Sequence, residues 1–221
     1  MQAFADQFLN LEIMAAAWPT ILTGLGMTLV LCAVVVPLGL AGGLATAIAA
    51  NSQRRWLRWP TVALIDFFRA IPPLVLLIFV YAGLPFAGVR LDPFMAVAFA
   101  FLLNNSAYYG EIFRAGLISV PAGQLEAARS TGLGHGQALA YVVLPQALRN
   151  VLPDLVSNTV EVVKLTSLAS VVSLSEMLHA AQLARSVTYN TSPIVLAALI
   201  YLAMLWPVVR LISRFERRLA S

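Results

Sequence analysis

Residues 119–150 read SVPAGQLEAARSTGLGHGQALAYVVLPQALRN, and the stretch differs in character from the chain on either side of it. It is too polar to cross a bilayer, yet its charges are too sparse for a plain solvated loop. Pro121 is placed to open a helix through QLEAARS, and Gly132 and Gly134 to break it. A second short helix through QALAYVVL is expected to end near Pro145. The sequence therefore predicts two short helices joined by a glycine elbow, over residues 119–146.

Outward from this loop the chain is apolar in both directions. No charged residue occurs between Ile13 and Gln53, a run that contains TGLGMTLVLCAVVVPLGLAGGLATAIAA at 23–50. Further uncharged runs cover 70–89, 93–110 and 186–209, and a weaker one at 150–175 carries Asp154, Glu161 and Lys164. Sixty per cent of the residues are hydrophobic and 11 per cent charged, where a soluble globular domain carries roughly 25 per cent charged. At a mean hydropathy of +0.84, 221 residues support about five spans of roughly 20 apolar residues each. The expected fold is an all-α integral membrane protein, one domain over 1–221, with spans at roughly 18–50, 61–84, 93–115, 148–172 and 188–212. Gly39, Gly42 and Gly43 are read as a packing face, because small residues let membrane helices approach closely.

The net charge of +4 is spread in small arginine groups beside apolar runs, which excludes a nucleic-acid-binding stripe. Arg54, Arg55 and Arg58 follow the first span, Arg114 and Arg129 the third, and Arg210, Arg214, Arg217 and Arg218 the fifth. By the positive-inside rule these three places are cytoplasmic, so the N-terminus is expected outside and the C-terminus inside. No Lys or Arg precedes Arg54, so the N-terminal segment lacks the basic start of a cleavable signal peptide and is expected to stay on the protein. Cys32, the single cysteine, has no partner for an intrachain disulfide and is read as a small buried hydrophobe.

The spacing inside the loop resembles the signature of ABC importer membrane subunits. Glu126, Ala127 and Ala128 are followed after three residues by Gly132; after nine further residues come Val142, where Ile is usual, and then Leu144 and Pro145. The resemblance continues in DFFRAIPPLVLLIFVYAG at 66–83 and in AYYGEIFRAGLISVPAGQLEAA at 107–128, both similar to the polar amino-acid permeases. It implies a type I importer (MetI-like) fold in which Gln124, Glu126, Ala127, Ala128, Gly132, Leu144 and Pro145 form cytoplasmic coupling helices against a separate ATPase. The implied partners are two copies of that ATPase, which would hold the ATP and Mg, a second permease chain, identical or homologous, and an extracytoplasmic solute-binding protein. The implied location is the bacterial cytoplasmic (inner) membrane, and the implied cargo is a polar amino acid moved by alternating access. The residue types suit the work: alanines leave a low helix face, the carboxylate offers a charged contact and glycine permits the turn. Relatives usually carry Ser or Thr as a cap near Gly134, and glycine caps less strongly.

Lys164 is the only lysine. Counted from Arg149 at about 1.5 Å per residue it lies roughly 22 Å into the bilayer, where a charge costs about 2.5–3.5 kcal/mol unless paired or hydrated. Asn158, Glu161, Lys164, Thr166 and Ser167 read either as a polar patch on the translocation path or, for the Glu161–Lys164 pair, as a structural ion pair between helices. Asn104, Asn105 and Ser106 are read chiefly as interhelical hydrogen-bonding groups. No catalytic, cofactor or metal residues are expected in this chain. A P-loop needs Gly-Lys-Ser/Thr, whereas Lys164 is followed by Leu165, and His135, His179 and Cys32 form no metal or nucleophile pattern. A secondary transporter would call for an inverted repeat and several intramembrane carboxylates, and neither is evident.

Overall fold

In the computed structural model the described residues are 2–219, with side chains described for 3–211. Arg214, Arg217 and Arg218, used above for orientation, lie outside the described side chains. In chain order the helices are α1 (Gln2–Phe8), α2 (Leu11–Ala50), α3 (Arg55–Ala70), α4 (Pro73–Ile78), α5 (Pro93–Ser119), α6 (Ala122–Ser130), α7 (His135–Ala138), α8 (Leu144–Leu165), α9 (Met177–Thr188) and α10 (Ser192–Leu219). Two π-helical turns, Phe79–Gly83 and Leu139–Val143, and two 3₁₀ segments, Leu84–Ala87 and Thr166–Val172, extend α4 and flank α8. No strand occurs among the described residues.

The chain forms two compact units, one of residues 1–36, 73–101 and 160–221, the other of 37–72 and 102–159. In the first, Ala17, Ile21, Met177, Ala181 and Ala197 make a buried cluster from α2, α9 and α10. The joint between α1 and α2 is tied to the α9–α10 turn. Asn190 Nδ2 donates to the Asp6 carbonyl at 2.8 Å, and the Asn10 amide donates to Ser192 Oγ at 2.9 Å. In the second unit Ala50, Ile65 and Ala107 form a small core from α2, α3 and α5. There the glycine face of α2 meets α5 at backbone contact: a Cβ on Gly43 would stand 2.4 Å from Tyr109 Cβ and 2.9 Å from the Gly110 nitrogen. The packing role expected of this face is what the contacts describe.

Three described helical stretches are long and apolar enough to cross a membrane: 3–50, 135–172 and 192–211. A fourth crossing results if α3 and the 73–87 helix are taken as one broken span. Against the expected five, α5 has the length, at 27 residues, but Asn104, Asn105, Tyr108 and Tyr109 lower its apolarity. The interval 61–84, expected as one span, is interrupted at Ile71, whose φ of −83° and ψ of 128° are extended. Pro72 forces this, since a residue before proline is driven from the α region, and neither Pro72 nor Pro73 has an amide hydrogen to donate.

Candidate coupling and transport site

The 119–146 loop folds as two helices about a turn. Pro121 stands immediately before α6 and its carbonyl accepts from the Gln124 amide at 2.9 Å. The helix ends where Thr131 Oγ1 donates to the Ala128 carbonyl at 2.7 Å and Gly132 takes a φ of +89°. That left-handed conformation is costly for residues with a Cβ, which is why the elbow falls on glycine. Gly134 then precedes α7, and the missing hydroxyl cap is replaced in part from the other direction, because Gln137 Oε1 accepts from the Gly134 amide at 2.9 Å.

Of the residues expected to couple, Gln124, Glu126, Ala127, Gly132 and Pro145 are exposed, Leu144 is half-buried and Ala128 is buried. The surface of α6 therefore presents a carboxylate beside a low alanine face, while Ala128 anchors the helix inward. The second short helix differs from expectation at its far end. It does not stop at Pro145 but passes through the π-turn at Leu139–Val143 directly into α8. Pro145 removes one backbone donor and crowds the preceding turn, and the π-turn ends two residues before it.

The base of the elbow is fastened to both flanking helices. Asn150 Nδ2 donates to Ser119 Oγ at 2.8 Å, joining α8 to the end of α5. Gln146 Nε2 donates to Gln124 Oε1 at 3.3 Å, joining α8 to α6. At Gly116 an added Cβ would lie 2.9 Å from the Ala147 carbonyl oxygen, so α5 and α8 are in near-backbone contact there. The base of the elbow is therefore held by two long helices. Beside the elbow lies a cavity of about 600 Å³, lined by Ile48, Arg54, Leu57, Val120, His135 and Leu139 among others. The end of α2, the start of α3 and the α6–α7 elbow thus share one face of their unit.

The residues expected on a path are distributed unevenly. Asn158 is half-buried on α8. Glu161 and Lys164 form an ion pair within one helical turn, their side chains 63 and 50 per cent exposed. Ser167 Oγ donates to the Lys164 carbonyl at 2.8 Å. Thr166 is fully buried and donates to the Val163 carbonyl at 2.6 Å, so its hydroxyl does not share the exposed surface of the pair. On α5, Asn104 Nδ2 donates to the Phe68 carbonyl at 3.2 Å, the interhelical use expected of it.

Two features escaped the sequence reading. Tyr109 OH and Thr159 Oγ1 are 2.7 Å apart and link α5 to α8. Glu176 is fully buried and caps α9, its carboxylate accepting from the amides of Leu178 at 2.8 Å and His179 at 2.7 Å. Its signal was the acidic residue just before the apolar MLHAA run, a position suited to the positive end of a helix. Among the described residues no group of three or more His, Cys, Asp or Glu side chains is arranged to hold a metal.

This arrangement has close counterparts. Residues 39–221 match the family described as "Binding-protein-dependent transport system inner membrane component". The probable amino-acid ABC transporter permease protein YckA of Bacillus subtilis is 34% identical over 213 residues, covering 96% of this chain and 92% of YckA. The arginine transport system permease protein ArtQ of the same organism is 33% identical, covering 92% of this chain and 94% of its own length. Among solved structures, a chain of an amino acid ABC transporter crystallised with histidines superposes with a TM-score of 0.83 at 36% identity, over 93% of this chain and 96% of that one. A chain of the MetNI methionine ABC transporter, at 18% identity, superposes with a TM-score of 0.75 over 90% of this chain and 95% of that one, and shows the shared fold. With the elbow, its fastening and these likenesses together, the chain belongs to the binding-protein-dependent transport system inner membrane component family and is a permease subunit of an ABC importer.

Proposed function

We propose that this permease carries a polar amino acid across the bacterial cytoplasmic membrane, driven by two ATPase subunits seated against α6 and the turn at Gly132. The observation that supports this most is the elbow itself, exposed on its outer face and fastened to α5 and α8 at its base. The cargo class follows the relatives, which include permeases named for arginine, glutamine and cystine. ATP and Mg would be held by the partner, whose closure moves the elbow and reorients the spans between outward and inward access. A second permease chain, identical or homologous, completes the route, and an extracytoplasmic binding protein delivers the solute.

The N-terminus lies outside and the elbow inside in this account. The arginines that follow the first and third apolar runs, Arg54, Arg55, Arg58, Arg114 and Arg129, support it. Glu161 and Lys164 are too exposed within this chain to be sealed in its core, so they face either the route or the second permease. The first is favoured by the polar residues Asn158 on α8 and Ser167 in the 3₁₀ segment that follows it. Lys164→Met is expected to lower solute uptake by about ten-fold or more, equivalent to ~1.4 kcal/mol, with normal recovery of the assembled complex. Normal uptake with poor recovery of the permease pair would assign the ion pair to the interface between chains instead.

A further inference from the structure

Helix α3 carries an apolar face that nothing in its unit covers. Ile65 is buried at 2 per cent exposure and marks the packed side. On the opposite side Trp56, Trp59, Pro60, Ala63, Phe67 and Ala70 recur at the spacing of one helix face, and all six are exposed. The two tryptophans and the phenylalanine are 70, 64 and 57 per cent exposed. In and beside the helix stand Arg54, Arg55, Arg58 and Arg69 against the single carboxylate Asp66, with Arg55 at the edge of the stripe and Arg58 and Arg69 on the side of Ile65. The Arg58 guanidinium lies 5.7 Å from the Trp59 ring centre, so charge and aromatic surface are adjacent. Behind it a cleft of about 420 Å³ is lined by Asn51, Arg58, Asp66, Arg69, Glu111 and Arg114 among others. Glu111 is already paired with Arg114, which leaves Arg58 and Arg69 facing the cleft with Asp66.

We propose that α3 lies along the cytoplasmic surface of the bilayer and recognises anionic lipid, its Trp56–Trp59–Phe67 face entering the boundary of headgroups and chains while Arg54, Arg55 and Arg58 engage lipid phosphates. Tryptophan is the residue most at home at that depth, because its ring is apolar and its N–H polar. Four arginines against one carboxylate call for an occupant of opposite charge, which a second copy of α3 would not supply because it would set arginine against arginine. An amphipathic helix with arginines beside an aromatic stripe fits an anionic lipid surface. The choice of leaflet rests on the proposed cytosolic elbow, because Arg54 and Leu57 line the same cavity as Val120 and His135.

The test uses the full chain with its transport partners, this chain carrying Trp18→Phe and Trp206→Phe and the partners having their tryptophans replaced by phenylalanine so that Trp56 and Trp59 alone report, in vesicles of phosphatidylcholine and phosphatidylglycerol. Either lipid is supplied in turn with bromine near the headgroup end of its chains. Brominated phosphatidylglycerol is expected to quench with about five-fold preference at equal mole fraction, the ratio one well-placed arginine confers. That preference is expected to vanish in the Arg54→Gln, Arg55→Gln, Arg58→Gln chain while quenching by brominated phosphatidylcholine remains. Equal quenching by both lipids in the parent chain would overturn the recognition of anionic lipid. Quenching by aqueous iodide in place of lipid would make the face solvated, and protection from lipid and iodide alike would make it an interface with a protein; either overturns the proposal. Failure of the coupling reading would appear in the Gly132 assay below and would leave this quenching unchanged.

Discussion

Gly43→Leu is expected to be lost from the folded membrane fraction, whereas Gly26→Leu is expected to be recovered like the parent chain. Both glycines lie on α2, so helix propensity does not separate them. Space does. A Cβ at Gly43 would meet Tyr109 Cβ at 2.4 Å and, at 2.9 Å, both the Gly110 nitrogen and the Tyr109 carbonyl carbon. Two of those three atoms are backbone, so no rotamer change makes room. A Cβ at Gly26 meets nothing within 4 Å. Overpacking of a well-filled site costs about 1–3 kcal/mol when side chains can yield, and the cost at Gly43 is expected to be at or above ~3 kcal/mol because they cannot. The check is the recovery and melting temperature of both variants in detergent. Equal behaviour would mean that α2 and α5 do not pack through this face.

Gly132→Val is expected to reach the membrane and fold, yet to lose uptake by more than about ten-fold and to lose solute-stimulated ATP hydrolysis. Here space is not the obstacle, since a Cβ at Gly132 also meets nothing within 4 Å. Conformation is the obstacle. A φ of +89° costs a residue with a Cβ about 1–2 kcal/mol, and a β-branched side chain suffers most. The turn then relaxes to a negative φ, and α6 leaves the angle at which Gln124 meets Gln146. Gly132→Asn, which tolerates left-handed geometry better, is expected to retain part of the activity. Gly123→Ala serves as the control, because that glycine is unhindered, inside α6 and not at positive φ. Uptake and ATP hydrolysis measured in reconstituted vesicles separate coupling from folding. Full uptake by Gly132→Val would remove the elbow from the mechanism.

The elbow was legible in the sequence because its signals are local: Pro121, the two glycines and the fixed distance to Leu144–Pro145 need no tertiary information. The glycine face of α2 was legible for a similar reason, since Gly39, Gly42 and Gly43 make little sense on a membrane helix except as a contact surface. The break at Ile71 was visible in Pro72 and Pro73 but was masked by hydropathy, which sees only an uninterrupted apolar run from 70 to 89. The continuation of α7 into α8 was hidden because a π-turn has no sequence signature of its own and Pro145 alone argues for a stop. Thr166 stands two residues from Lys164 along the chain, although the structure buries its hydroxyl away from the exposed pair. The cap at Glu176 depends on where α9 begins, a boundary that periodicity places only to within a few residues.

We propose that α6 and the turn at Gly132 protrude into the cytosol and touch a nucleotide-hydrolysing partner. Ala127→Cys in a Cys32→Ser background gives one thiol on the exposed alanine face. In oriented vesicles an impermeant maleimide is expected to label it only from the cytoplasmic side, and a short crosslinker is expected to join it to the ATPase with a yield that changes on adding ATP. Labelling from the outer side, or crosslinking that never captures a nucleotide-hydrolysing protein, would contradict the account.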